Sequence, residues 1–334
     1  MNIQKEIINI TSEYFEDKID YLKLSNASKA YKKILEELCG QNLNIDEGRA
    51  DIAHENGKAL STYFAAMCLD DILRTRQFIR GIDKAIKAKL SDKPIHVLYA
   101  GTGPFATLIL PFLFRHNKAT IKYTLLEVNP FTFGALQDVL SKLGVEDYDI
   151  TLVNEDATKY KVDTANEPDI IISETMQNAL AKEQQVPIFL NLMKQVQSEC
   201  IFIPEKIEIH LGLGKFNNEV ENGVRLQHKK IEKVFEVSKA ATFSSDDDNF
   251  TLLEDQNFIK RKTVIKNDEV VKFNQVLFIT EIDVFDNEKI SINDSGLTTP
   301  IILEDIPHDL KNDITVNTQY IITSEPTLEY TLEY

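Results

Sequence analysis

Ile95-His-Val-Leu-Tyr-Ala-Gly-Thr-Gly-Pro-Phe-Ala106 decides how this chain is read. Residues Ile95 to Ala100 form a short, mostly apolar run of strand length, and a Gly-rich turn follows. Gly101 and Gly103 have no Cβ, so the backbone there can turn tightly and come close to a ligand. Pro104 suits the first turn of a helix, which the pattern predicts over 105–115. Ala106 stands at the third small position of a G-x-G-x-x-G/A fingerprint. A second strand follows, Lys122 to Leu126, and ends in Glu127. A carboxylate at that point can accept hydrogen bonds from both hydroxyls of a ribose. Strand, glycine turn, helix, strand and terminal acid, with the acid roughly 20 residues past the turn, make a nucleoside-binding half-fold.

Outward from this stretch, strands and helices alternate between residues 94 and 204. Strands are expected near 95–100, 122–127, 149–153, 169–173 and 200–203, and helices near 105–115, 131–143 and 186–198. Apolar strands alternating with helices imply a mainly parallel sheet covered on both faces. Ligands of such sheets bind beyond the carboxyl ends of the strands. Gly101, Glu127, Asp156 and Glu174 all follow strand ends and should converge on one crevice.

Residues 1–90 read as a helical N-terminal region. Ile7-Ile8, Tyr14-Phe15 and Tyr21-Leu22 recur at helical spacing, a second helix covers about Ser28 to Leu38 with Gly40 as its C-cap, and the pattern is helical again from Ala59 to Lys89. Asn42 to Gly57 reads as a polar loop or broken helix. Residues 91–204 are then the Rossmann-like domain. Residues 205–334 are β-rich, a barrel or sandwich, with strands at Lys206–Leu213, Lys230–Val237, Thr251–Leu253, Lys262–Ile265, Asn274–Val284, Lys289–Ile292, Pro300–Leu303 and Gln319–Thr323. Ser244–Asn249 reads as a solvated loop without the spacing of a calcium site. The terminal Thr-Leu-Glu-Tyr repeat reads as a last strand or tail.

Composition narrows the function. The 334 residues suggest about two domains. No run of ~20 apolar residues suggests a membrane span, and the mixed-charge N-terminus is not a signal peptide. Cys39, Cys68 and Cys200 are scattered and lack metal spacing, which fits free thiols in a cytoplasmic protein. Six dispersed histidines argue against a zinc site. The net charge of −16 disfavours nucleic acid and suits a cationic acceptor.

The half-fold fits a dinucleotide or S-adenosylmethionine, and three features favour the second. Asn154-Glu-Asp156-Ala157 follows the third strand and offers an acid to an adenine amino group. Asp169-Ile-Ile-Ile-Ser-Glu174 ends the fourth strand with a polar pair. A helix before the sheet is expected to carry Leu69-Asp-Asp-Ile-Leu-Arg-Thr75.

On these residues the chain resembles the protein arginine methyltransferases, class I S-adenosylmethionine enzymes with a C-terminal β-barrel. Motifs carry the likeness over about residues 60 to 215. Cys68-Leu-Asp-Asp-Ile-Leu-Arg-Thr75 matches the family's Met-Leu-x-Asp-x-x-Arg-Thr except at the Met. Ala100-Gly-Thr-Gly-Pro-Phe105 matches a Gly-x-Gly-Pro branch. Ser173-Glu174 is followed nine residues later by Glu183, the spacing of the family's double-E hairpin. The resemblance implies that Gly101, Thr102, Gly103, Glu127, Asp156, Ala157 and Glu174 bind S-adenosylmethionine. It also implies that Arg74 holds the cofactor's carboxylate, and that Glu174 and Glu183 clamp the acceptor. A guanidinium's planar fork of donors matches such a pair of acids.

The implied reaction is methyl transfer to a cationic guanidine or amine, on a peptide or a small molecule, by a homodimer. The chain departs from the family at several points. Thr175 replaces an aromatic after Ser-Glu, Ala65 replaces a histidine, and no Thr-His-Trp loop exists in a chain without tryptophan. These departures keep open an alternative, a small-molecule O- or N-methyltransferase of biosynthesis. A nicotinamide dehydrogenase and a non-catalytic scaffold fit less well, since Ser173-Glu174 has no use in hydride transfer and the site residues are of active type.

Overall fold

The structure is a computed structural model that describes residues 3–221, 224–243 and 258–334. The Ser244–Asn249 loop and the Thr251–Leu253 strand expected from the sequence lie outside the described residues.

The N-terminal region is helical, but more broken than its apolar spacing suggests. Helix α1 (Ile3–Thr11) runs into a 3-10 turn, and α2 (Tyr21–Cys39) starts afresh because Asp20 accepts the N–H groups of Leu22 and Lys23, each at 3.1 Å. Tyr21 and Leu22 are therefore exposed rather than part of the buried stripe. Gly40 closes α2 at a φ of 66°, as expected. After α3 (Asp46–Arg49), the supposed loop forms a small antiparallel hairpin, β1 (Ile52–His54) and β2 (Gly57–Ala59). The helical stretch expected over Ala59–Lys89 holds two helices, α4 (Thr62–Met67) and α5 (Ile72–Lys89). Asp71 breaks it, since its carboxylate caps the Arg74 N–H at 3.2 Å.

The central sheet is as the sequence implies. Strands β3 (Ile95–Ala100), β4 (Ile121–Leu126), β5 (Ile150–Val153), β6 (Ile170–Ser173) and β7 (Ile201–Ile203) lie in the order β5-β4-β3-β6-β7, all parallel. Every residue of β3 is buried. The order reverses direction around β3, which creates a crevice at its carboxyl end. The helix expected over 105–115 is cut to α6 (Leu110–Leu113). Gly101, Gly103 and Ala106 have φ of 73°, 63° and 46°, a left-handed series that cannot propagate a helix. Pro104 thus sits inside a turn. Helices α7 (Pro130–Leu143) and α8 (Gln185–Met193) complete this layer, α8 packing on β6.

The rest of the described chain is built mainly on two antiparallel sheets. One holds β8 (Lys206–Glu221), β9 (Val224–Ser238), β11 (Gln275–Phe285), β12 (Glu288–Ile290) and β13 (Ile301–Asp305). The other holds β10 (Arg261–Ile265), β14 (Ile314–Ile321) and β15 (Thr327–Glu333). β14 begins before the strand expected at Gln319–Thr323, and the terminal repeat is β15. In β8 the buried Ile207, Ile209, Leu211 and Leu213 alternate with Glu208, His210 and Gly212. Phe235 of β9 stacks on Tyr320 of β14 at 4.3 Å, joining the two sheets. One hydrophobic core runs from Ile7 through the parallel sheet to Leu328.

Tyr320 does more than fill space. Its buried hydroxyl donates to the Leu180 carbonyl at 2.7 Å, across 140 residues of chain. Tyr320→Phe should lower unfolding free energy by about 1–3 kcal/mol, the cost of leaving that carbonyl without its partner. Urea denaturation measures this, and an unchanged midpoint would show the bond to be idle.

Candidate active site

Beyond the carboxyl ends of β3, β4 and β6 lies a cavity of about 950 Å³, its open mouth included. Gly101, Thr102 and Gly103 form part of its floor. The turn is bent back on the sheet by N–H bonds from Gly101 and Thr102 to the Leu126 carbonyl, at 2.9 and 3.3 Å. A Cβ at Gly101 would collide with Thr175 Cγ2, so only glycine lets the turn lie against the loop after β6. Glu127 is buried at the end of β4. Its Oε2 accepts the Gly103 N–H at 3.0 Å and its Oε1 the Asn129 N–H at 2.9 Å. Each oxygen keeps lone-pair capacity for a hydroxyl. Burial pushes its pKa up to about 7, against the backbone N–H groups of Asn129 and Gly103.

Ala157 lines the same cavity, but Asp156 does not. Its Oδ1 accepts from the Thr158 N–H at 2.9 Å and hydroxyl at 2.7 Å, and its Oδ2 lies 3.7 Å from His54 Nδ1. Asp156 is committed to closing its own turn, and the neighbouring Glu155 faces the cavity instead. An acid does follow the third strand, displaced by one residue from the expected position.

Arg74 and Glu174 meet on the opposite wall. The side chains are about 10% exposed, with Arg74 Nη1 3.3 Å from Glu174 Oε1 and Nη2 donating to the Cys68 carbonyl at 3.0 Å. Burial raises the Glu174 pKa to about 7; Arg74 opposes the rise and Asp71 adds to it. The buried Tyr99 stands beside them on β3.

Glu183 is 5% exposed. The loop that carries it is irregular, with Ala179, Leu180 and Lys182 at φ of 51°, 56° and 67°. Such residues persist only where surroundings hold them. Here Thr280 accepts the Ala179 N–H at 3.0 Å, Tyr320 holds Leu180, and Pro326 accepts the Lys182 N–H at 2.7 Å. Burial first, then the charge of Glu174, pushes the Glu183 pKa up to about 8, with Gln177 opposing. Its Oε1 is buried without a hydrogen-bond partner. A second pocket opens on this spot, sharing Cys68, Arg74, Glu174 and Glu183 with the first and bounded by Met176 and Leu297. The two acids therefore stand where two cavities join.

Sequence reasoning missed several residues. Gln185 Oε1 accepts from Ser173 Oγ, Thr175 N–H and Thr175 Oγ1 at 3.0–3.2 Å, and so fixes the backbone around Glu174. Thr175, the departure from an aromatic, is used in that network. Lys58 and Leu60 line the cavity from the unexpected hairpin, and Leu297 comes from the β-rich half. Only Ser173 and Thr175 hinted at a polar partner. Among the described residues, one group of metal-ligand type comes together, Glu208, His210 and Glu281. Its acids already pair with Lys206, Lys230 and Lys233, which reads as an ion-pair network on the face of β8. Among the described residues, no helix is long and apolar enough to cross a membrane.

No family model matches the chain, and no curated protein matches it. Solved structures do. A crystal structure of PRMT6 superposes with a TM-score of 0.52 at 10% identity, covering 81% of this chain and 98% of that one. A Trypanosoma brucei PRMT1 enzyme–prozyme heterotetrameric complex with AdoHcy superposes at 0.48 and 11% identity, covering 80% of this chain and 96% of that one. At such identity the likeness speaks to architecture: the chain has the fold of the PRMT6 structure, a Rossmann-like parallel sheet with helices followed by a β-rich C-terminal region.

Proposed function

We propose that this chain is an S-adenosylmethionine-dependent N-methyltransferase that acts on a cationic guanidine or amine, in a peptide or a small molecule. The observation that carries the reading is the pair Glu174 and Glu183, buried where two cavities meet, with Glu183 Oε1 lacking a partner. Two raised-pKa carboxylates facing an opening form a site with affinity for positive charge.

The first cavity fits the donor. Glu127 would hold ribose hydroxyls and Glu155 an adenine amino group, and the Gly101 turn leaves room that a Cβ would take. Arg74 has N–H groups beyond those used on Glu174 and Cys68 and would take the donor's carboxylate. The bound donor supplies an electrophilic methyl on sulfur. The chain's part is to orient the acceptor nitrogen and to stabilise its positive charge, which position and field can do without a strong base. Glu174, fixed by Arg74 and the Gln185 network, is the main clamp, and Glu183 is the second. Net charge −16 supports a cation rather than a nucleic acid as acceptor. Assembly as a homodimer belongs to the same reading, and sedimentation of the active protein as a monomer would remove it.

The alternative, a small-molecule O- or N-methyltransferase, draws on one observation. With a pKa of about 8, Glu183 is mostly protonated at neutral pH and could donate to a neutral acceptor.

Titration calorimetry should give heat with S-adenosylhomocysteine and none with a nicotinamide dinucleotide; the reverse pattern would end the proposal. Labelled donor added to cell extract should mark peptides or cationic small molecules. Glu174→Gln should cut turnover by about 10² or more while S-adenosylhomocysteine still binds. A comparable loss in Glu183→Gln marks a cationic acceptor, whereas a nearly silent substitution favours the alternative.

The pH dependence has a definite sign. Raised carboxylates are protonated below their pKa, so kcat/KM for a cationic acceptor should rise through about pH 7 to 8 and then level. In Glu183→Gln the rise should shift to lower pH, because the group that ionises last, at about 8, is gone and Glu174, at about 7, alone sets it. The same shifts oppose folding at high pH. The native state holds protons that the unfolded chain has lost, so ligand-free protein should melt at lower temperature as pH climbs from about 5 to 8.

A further inference from the structure

The β1–β2 hairpin spans the crevice and is fastened on both sides. On the nucleoside side, His54 Nδ1 lies 3.7 Å from Asp156 Oδ2, and Glu55 pairs with Lys159 at 2.7 Å. On the acid side, Asn56 Oδ1 accepts from Gln184 Nε2 at 2.8 Å, and the Lys58 N–H donates to the Lys182 carbonyl at 2.9 Å. Lys58 and Glu183 form a parallel β-bridge. Between the fastenings, Lys58 and Ala59 line the first cavity.

Gly57 makes the acid-side contact possible. Its φ of 129° is open only to glycine, and a Cβ there would lie 2.9 Å from Gln184 Cγ and 3.1 Å from the Glu183 carbonyl carbon. The hairpin backbone is therefore pressed onto the backbone of the second acid.

The two fastenings differ in strength. Glu55 and Lys159 are 72% and 62% exposed, and an exposed pair of this kind adds little. The acid side is held by a backbone bond and a side-chain amide pair. A two-stranded hairpin is marginal by itself in water, so this one depends on what it touches. Such an element opens locally, well below the free energy of global unfolding.

We propose that the hairpin is a positioning clasp: Asn56, Gly57 and Lys58 seat Glu183, and the same strands close over the nucleoside end of the cleft. Release of the nucleoside side uncovers the donor cavity. Full lifting also unseats the second acid, so an open cleft lacks a complete acceptor clamp. The identity of the ligand under the clasp rests on the proposed function, whereas the mechanical link between hairpin and Glu183 does not.

Hydrogen–deuterium exchange of the ligand-free protein tests that link, with Gly57→Val and Asn56→Ala as variants. Peptides covering residues 178–185 should exchange about tenfold faster in both, the order of one lost hydrogen bond, while peptides of β3 stay unchanged and report an intact fold. Asn56→Asp keeps the acceptor oxygen and should return exchange toward wild type. Dissociation of S-adenosylhomocysteine should also quicken about tenfold in Gly57→Val, and kcat should fall more than the acceptor KM rises. Wild-type exchange at 178–185 in Gly57→Val would overturn the clasp. If wild-type protein binds no S-adenosylhomocysteine, the proposed donor is wrong, and the exchange result still decides the clasp.

Discussion

Two carboxylates and one guanidinium are held out of water at the end of β6, and much of the molecule is arranged around that fact. Glu174 and Glu183 repel each other, and Arg74 can neutralise only one of them. Burial of an unpaired charge is costly enough that a group usually takes a proton instead, and both acids are displaced in that direction. Such a cluster persists only if other parts of the fold prevent the acids from turning outward. Asp71 adds a third acid nearby and raises Glu174 further. It also caps Arg74 and accepts from Ser295 Oγ at 2.6 Å and the Gly296 N–H at 3.1 Å. One side chain thus ties the wall of the first cavity, where Arg74 sits, to the turn that borders the second pocket.

The β-rich half therefore does more than add bulk. Thr280, Pro326 and Tyr320 each bond the strained loop of residues 179–182, and Asn178 donates to the Thr299 carbonyl at 3.3 Å. Left-handed conformations at Ala179, Leu180 and Lys182 cost on the order of 1–3 kcal/mol each. Anchors from β11, β14, the residue before β15 and the loop at Thr299 offset that cost and fix the height of Glu183 in the cleft. Two layers that would be independent by composition thus share one core and one site.

The parallel sheet and the glycine turn were legible because their signals are local: a short apolar run, two glycines, an acid at the next strand end. Glu127 was read from its place at a strand end beyond the glycine turn, and Arg74, Glu174 and Glu183 from the family resemblance; all four line the cavity. The errors have physical sources. Helix 105–115 failed because a buried left-handed turn at Gly103 and Ala106 overrode the apolar periodicity. Asp156 was chosen over Glu155 because spacing cannot tell which of two adjacent acids is consumed by its own turn. The hairpin at 52–59 was invisible because its strands are three residues each and its outside anchors, Gln184 on Asn56 and Lys182 on Lys58, lie more than a hundred positions away. Gln185 was missed for the same reason: an amide that satisfies three donors has no sequence signature.

Under the proposed function, the proton affinity of Glu183 and its affinity for a cationic acceptor are one electrostatic quantity seen twice. A carboxylate that keeps its proton to about pH 8 does so because burial and Glu174 make its negative charge unfavourable. A guanidinium entering the pocket reverses both causes, since it supplies the missing opposite charge and donors for the partnerless Oε1. Acceptor and proton then compete for the same oxygen, and binding must release protons in proportion to how far the pKa falls. A neutral acceptor gains nothing from ionising Glu183 and would leave the proton in place. The elevated pKa is thus no obstacle to the proposed cation clamp; it is what burial beside a second acid produces.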